Sequence, residues 1–104
     1  MTGIQNNYDI PKDVYFASED TSFVSGDSPV TLDVFSTLAR KGSNGYVRCD
    51  GSGDIIVTIS SDGTNFGNNI RMKSGETLNL RAISIDSIKI THSGTDSSYR
   101  VYVD

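Results

Sequence analysis

Apolar residues recur at every second position along most of the chain. Ile55, Val57 and Ile59 alternate with Ile56, Thr58 and Ser60, the two-residue period of a strand in a sandwich. Leu78 and Leu80, Ile83 and Ile85, Ile88 and Ile90, and then Tyr99, Val101 and Val103 extend the alternation. Between Ile85 and Ile88 the apolar positions change parity. A one-residue slip turns every later side chain to the opposite face, so a bulge or bend near Asp86-Ser87 is required.

Turn signals separate these runs at short intervals: Ser43-Asn44-Gly45, Asp50-Gly51-Ser52-Gly53, Asp62-Gly63-Thr64-Asn65, Lys73-Ser74-Gly75 and Ser93-Gly94-Thr95. Gly and Asn tolerate the positive φ of tight turns. The spacing predicts an all-β fold, a two-layer antiparallel β-sandwich of Greek-key or jelly-roll type with about seven or eight strands. Composition agrees, since Ile and Val number 18 against 7 for Ala and Leu. β-Branched side chains lose rotamer freedom in a helix and fit a pleated surface.

Residues 28–42 carry two patterns. Read as a helix, Ser28 is the N-cap, Pro29 takes the first position, and Leu32, Phe35 and Leu38 or Ala39 share a face; Arg40, Lys41 and Gly42 then close it. Read as a strand, Val30, Leu32 and Val34 form the inward set. A strand over 29–35 followed by a short turn of helix is the preferred reading.

At 104 residues and 11.2 kDa, the chain supports one small core and no second domain. With 36% apolar residues and a net charge of −4 it is expected to fold rather than stay disordered. The lone Cys49 allows neither an intrachain disulfide nor a cysteine metal cage. No apolar run approaches the ~18 residues of a membrane span, and the N-terminus lacks a basic-then-apolar signal. These features lead us to expect a reducing compartment and no membrane partner. The cations are scattered singly apart from Arg40-Lys41, and the isoelectric point is near 4.7. Nucleic acid, which is tracked by a concentrated positive face, is not an expected partner either.

Charge divides the chain. Residues 1–35 hold six acids against the single cation Lys12, while residues 36–104 hold eight cations and seven acids. The same first third carries Tyr8, Tyr15, Phe16, Phe23 and Phe35, five of the nine aromatics. Two segments are therefore expected: an acidic, aromatic arm or first strand over 1–20, and the sandwich over 21–104. Tyr8, Ile10, Tyr15, Phe16 and Phe23 are the expected partner-interface residues, because an arm of this composition can order against a neighbouring subunit. Deleting residues 1–20 is expected to abolish particle binding or oligomerisation.

Candidate chemistry is sparse. His92 is the only imidazole, and no spacing ties it to Cys49 or to a particular Ser as a nucleophile–base pair requires. It reads as a solvated residue at a turn. Asp50-Gly51-Ser52-Gly53-Asp54 places oxygen side chains as a calcium loop does, but position twelve is Ser61 rather than a bidentate Glu. It reads as a Gly-rich turn without a metal. GxxxxGK[ST], GxGxxG and HExxH are all absent. Neither catalytic residues nor a cofactor are expected. Tyr46, Phe66 and Tyr102 fall at strand ends or opposite the apolar set, where they could stack a sugar ring or fill a partner's pocket, although a plug at one end of the core is the preferred reading for any one of them, Phe66 above all.

From Gly45 to Val103 the order of motifs is distinctive. Gly53-Asp54-Ile55-Ile56-Val57-Thr58-Ile59-Ser60-Ser61-Asp62-Gly63 precedes Asn65-Phe66-Gly67 and Ile70-Arg71-Met72-Lys73-Ser74-Gly75-Glu76. Leu78-Asn79-Leu80, Ile85-Asp86-Ser87-Ile88-Lys89-Ile90 and Tyr99-Arg100-Val101 follow. This order resembles small β-sandwich structural and accessory proteins of tailed-phage and prophage virions: decoration proteins, head fibres and tail accessories. The resemblance implies a non-enzymatic building block, a homo-oligomer such as a trimer or ring, and docking on other virion proteins. It implies assembly in a host cytoplasm and residence in the virion. The alternative expectation is a carbohydrate-binding or adhesive module that uses Tyr46, Phe66 and Tyr102.

Overall fold

A computed structural model describes residues 15–104. The strands are β1 (Phe16–Phe23), β2 (Val30–Asp33), β3 (Gly45–Cys49), β4 (Ile55–Ser60), β5 (Ile70–Met72), β6 (Thr77–Leu80), β7 (Ser87–His92) and β8 (Ser97–Val103), with one helix, α1 (Val34–Leu38), after β2. They form two four-stranded sheets in the orders β1-β8-β3-β6 and β2-β7-β4-β5. All pairs are antiparallel. β1 pairs with β8, β2 with β7, β3 with β6 and β4 with β5. The chain is thus one long hairpin, with its tip between β4 and β5, rolled over on itself. That is the eight-stranded jelly roll.

The alternation predicted from the sequence is observed along most strands, but Ile83, expected inward with Ile85, is exposed, and at the end of β4 Ser60 is fully buried while Ile59 is only partly so. Val47 and Cys49 on β3 and Tyr99, Val101 and Val103 on β8 face inward from one sheet, and Ile55 and Val57 on β4 and Ile88 and Ile90 on β7 belong to the same buried core. At β-strand pitch these side chains bury about 1.5–3 kcal/mol of transfer free energy each. Tyr99 is part of this core, and burial, helped by the nearby Asp20 charge, raises its phenol above the ordinary value of 10.0.

The parity change is explained by a crossing between sheets. Ile85 exchanges two backbone hydrogen bonds with Gly42 (2.8 and 2.9 Å), and the next residue, Asp86, donates its N–H to the Ser60 carbonyl at 2.8 Å. Between β6, which ends at Leu80, and β7, which starts at Ser87, the chain thus switches backbone partners from Gly42 to Ser60 within two residues. Ala82, with a φ of 53 in the left-handed region, makes the turn that starts the crossing.

Residues 30–38 resolve the two readings of that segment. The strand stops at Asp33, earlier than position 35, because the Asp33 carboxylate caps a five-residue helix. It accepts from the Ser36 N–H at 3.1 Å and from the Ser36 hydroxyl at 2.7 Å, which holds its carboxyl below the usual range. Val34 and Leu38, four apart, turn into the core, and Ala39 in the left-handed region ends the helix.

The expected boundary at residue 20 falls inside β1. Phe16, Ala17, Ser18, Glu19 and Asp20 pair in register with Val103, Tyr102, Val101, Arg100 and Tyr99. Residues 16–20 take the first-strand form of the two expected for that segment, because their backbone groups complete the edge of a ladder whose other side is β8.

Candidate functional site

Outward-facing residues of the β1-β8-β3-β6 sheet alternate with the core set, and register brings them into rows. Tyr46 on β3 lies directly opposite Tyr102 on β8. Their rings stack at 6.0 Å between centroids and 15° between planes. Tyr15, just ahead of β1, stacks on the other face of the row, 5.6 Å and 21° from Tyr102. Three tyrosines thus stand side by side across three strands, with offset stacking of the kind aromatic quadrupoles favour. The Tyr102 hydroxyl donates to Asp104 Oδ2 at 3.0 Å, and that bond chiefly raises its ionisation above the ordinary value.

Two residues along the strands is a charged row. Asp50 accepts from Arg48 Nε at 3.0 Å and from Arg100 Nε at 2.6 Å, and Arg100 Nη2 adds a third bond at 3.1 Å. The Arg100 guanidinium chiefly holds the Asp50 carboxyl below its usual range, and Asp50 in turn raises Arg100. The carboxylates of the Asp50–Asp54 loop are therefore turned to cations, since Asp54 Oδ2 takes Arg71 Nη1 at 3.0 Å. Gly51 and Gly53 are required there for a steric reason. A Cβ on Gly51 would meet the backbone of Ser97 and Ser98, and one on Gly53 the carbonyl of Asp96.

Shallow grooves flank the tyrosine row. One, of about 620 Å³, is lined on its floor and rim by Tyr46, Tyr102, Asn44, Asn79, Arg81 and Asp104. The other, of about 330 Å³, runs between the tyrosines and Arg100, past Ala17 and Glu19.

The remaining expected site residues are dispersed. Tyr8 and Ile10 lie outside the described residues. Tyr15 is 50% exposed, as a surface contact needs. Phe16 is half-buried against the core. Phe23 must be corrected: expected at a partner interface, it is fully buried within this chain. A register shift between Asp20 and Phe23 swings it inward, where its ring meets Tyr99 and His92 edge-on. Phe66 does not join Tyr46 and Tyr102. It bridges to Ser60 at the end of the other sheet, with the Lys89 ammonium 4.7 Å above its ring.

His92 is tied into the fold rather than simply solvated. Its Nδ1 accepts from the Gly94 N–H at 3.2 Å, which leaves Nε2 to donate to the Asp27 carbonyl at 2.6 Å. Cys49 is fully buried, with its thiol donating to the Gly53 carbonyl at 3.2 Å. Among the described residues no three His, Cys, Asp or Glu side chains gather as metal ligands, and no helix is long and apolar enough to cross a membrane.

Sequence reasoning found Tyr46 and Tyr102 from parity but missed Asn44, Asn79, Arg81 and Asp104. Asn79 and Arg48 do alternate with inward neighbours, so their outward aim was legible. Which strand lies beside which was not. No protein-family model, no curated protein and no solved structure matches the chain.

Proposed function

We propose that the protein is a non-enzymatic structural or accessory component of a tailed-phage virion, a capsid decoration or head or tail accessory, that works by homo-oligomeric assembly on other virion proteins. The observation that carries this reading is the strand order, β1-β8-β3-β6 against β2-β7-β4-β5. That jelly roll is an architecture of viral capsid domains, and the argument from it is one of fold analogy. The motif order from Gly45 to Val103, with its resemblance to virion sandwich proteins, supports the same reading from the sequence. So does the placement of Tyr15, half exposed and stacked on Tyr102, at the point where the acidic and aromatic leading segment joins the sandwich.

In this reading, aromatic contacts at and ahead of Tyr15 bury against neighbouring subunits, and symmetry multiplies a modest contact into avidity. The protein is made and assembled in the host cytoplasm. The test is the solution mass of the full chain and of a chain lacking residues 1–14, by size exclusion with light scattering. Truncation stops at residue 14 because removing 1–20 strips five of the eight residues of β1 from its ladder and would unfold the edge. A trimer or larger ring that falls to monomer on truncation supports the reading. Monomers in both cases overturn assembly through the leading segment.

A further inference from the structure

The groove beside Tyr46 has features that assembly through the leading segment does not use. Two of its polar side chains, Asn44 and Asp104, are anchored at one end and unspent at the other. Asn44 Oδ1 accepts the Ala82 N–H at 3.1 Å, which fixes the amide and turns its two N–H donors outward. Asp104 Oδ2 takes the Tyr102 hydroxyl at 3.0 Å, which leaves Oδ1 as an acceptor. Asn79 sits directly across from Tyr46 in the ladder. Among the described residues neither Asn79 nor Arg81 makes a side-chain hydrogen bond or ion pair. Donors and acceptors of both kinds thus ring an aromatic side chain, in a depression of about 620 Å³.

We propose that this groove is a saccharide-binding subsite, in which a pyranose ring lies against Tyr46 and its hydroxyls are read by Asn44, Asn79, Arg81 and Asp104. The chemistry follows from the ligand's two surfaces. A pyranose presents a patch of C–H groups on one face and hydroxyls around its rim. The first matches an aromatic ring, and the second matches fixed amide, guanidinium and carboxylate groups that can both give and take hydrogen bonds. Tyr102 is sandwiched between Tyr15 and Tyr46, with both ring faces covered, so it serves to hold Tyr46 upright. Anchoring of Asn44 and Asp104 removes part of the ordering cost that binding otherwise carries. The inference does not depend on the virion reading, because it concerns the sheet face and not the leading segment.

Two-dimensional ¹H–¹⁵N spectra of the full chain test it, with trisaccharides of glucose, galactose, N-acetylglucosamine and glucuronic acid as probes. The expected result is a saturable shift for at least one probe, centred on Asn44, Tyr46, Asn79 and Arg81. Tyr46→Ala should weaken that binding at least about tenfold, with Tyr46→Phe close to the parent. Asn79→Ala should weaken it by about threefold or more, and Phe66→Ala, on the other sheet, should leave it unchanged. The dispersion of each variant's spectrum reports folding, so a collapsed variant is replaced by Asn79→Ala as the deciding one. Shifts centred elsewhere, binding that survives both Tyr46→Ala and Asn79→Ala, or no shift at millimolar probe would overturn the proposal. So would loss of an oligomer in Tyr46→Ala without any probe binding, which would make this face a protein interface.

Discussion

The ring of Phe23 meets the ring of Tyr99 edge-on, 5.4 Å between centroids and 89° between planes. Phe23 ends β1 after its register shift, and Tyr99 sits in the middle of the sheet on β8, so the contact locks an edge strand to the core. Phe23→Ala is expected to destabilise the fold by about 3–5 kcal/mol, the usual cost of emptying a buried phenylalanine site. Urea denaturation measures it. A loss no larger than that of Phe35→Ala, which is 43% exposed, would show that Phe23 is not an anchor.

Why Phe23 was expected at an interface while its neighbours' roles were foreseen is a matter of period. Val47, Val57, Val101 and Val103 sit in unbroken alternation, and each is buried as its parity demands. β1 reads FASEDTSF, with only Phe16, the small Ala17 and Phe23 apolar, so its period gives no face. The shift between Asp20 and Phe23 then changes the parity once more. The tyrosine row had the opposite fate. Tyr46 and Tyr102 were legible as outward residues one by one, but their stacking depends on β3 lying beside β8, 50 residues away in sequence for the Asp50–Arg100 pair of the same face. Pairing at that range is a property of the rolled hairpin and leaves no local mark.

Acid should weaken the protein. Asp62 accepts from the Asn65 N–H, the Asn65 side chain, the Thr64 N–H and the Ser60 hydroxyl, and these bonds, that to the Asn65 N–H first, hold its carboxyl well below the ordinary value of 3.8. Asp33 and Asp50 are lowered in the same direction, chiefly by Ser36 and Arg100. For a depressed carboxyl the unfolded chain takes up protons first on acidification. The stabilisation is therefore complete above the unfolded value and lost as pH falls through the folded one. Urea midpoints measured from about pH 6 down to about pH 2 should decline below about pH 4, and Asp62→Asn should flatten that decline.

Salt should reveal the Arg48–Asp50–Arg100 cluster. Asp50→Asn leaves two guanidinium groups facing each other across β3 and β8 without their shared carboxylate. The urea midpoint should drop modestly in dilute buffer. In about 1 M NaCl, where the Debye length is about 3 Å, most of that difference should vanish, because the groups are solvent-exposed. A drop of equal size at both ionic strengths would mean that the carboxylate acts through packing.

Two glycines should respond differently to alanine. Gly51→Ala drives a methyl into the Ser97–Ser98 backbone and is expected to cost about 1–3 kcal/mol, as overpacking does. Gly75 has open space around it but a φ of +83, so Gly75→Ala costs about 1–2 kcal/mol through backbone strain alone. Asparagine, which tolerates that conformation, should recover stability at position 75 and not at position 51. Thermal denaturation of the four variants separates the two causes.

The rolled hairpin also sets the order in which the molecule can come into being. β4 and β5, at its tip, are neighbours in sequence, whereas β8 fits between β1 and β3. During synthesis, therefore, β1 and β3 emerge early with an empty lane between them, and nothing made before residue 97 can fill it. The nascent chain must carry two unpaired strand edges until the last strand clears the ribosome. The zipper closes from its middle outward, and β1, the earliest made of the described strands, is among the last to be paired.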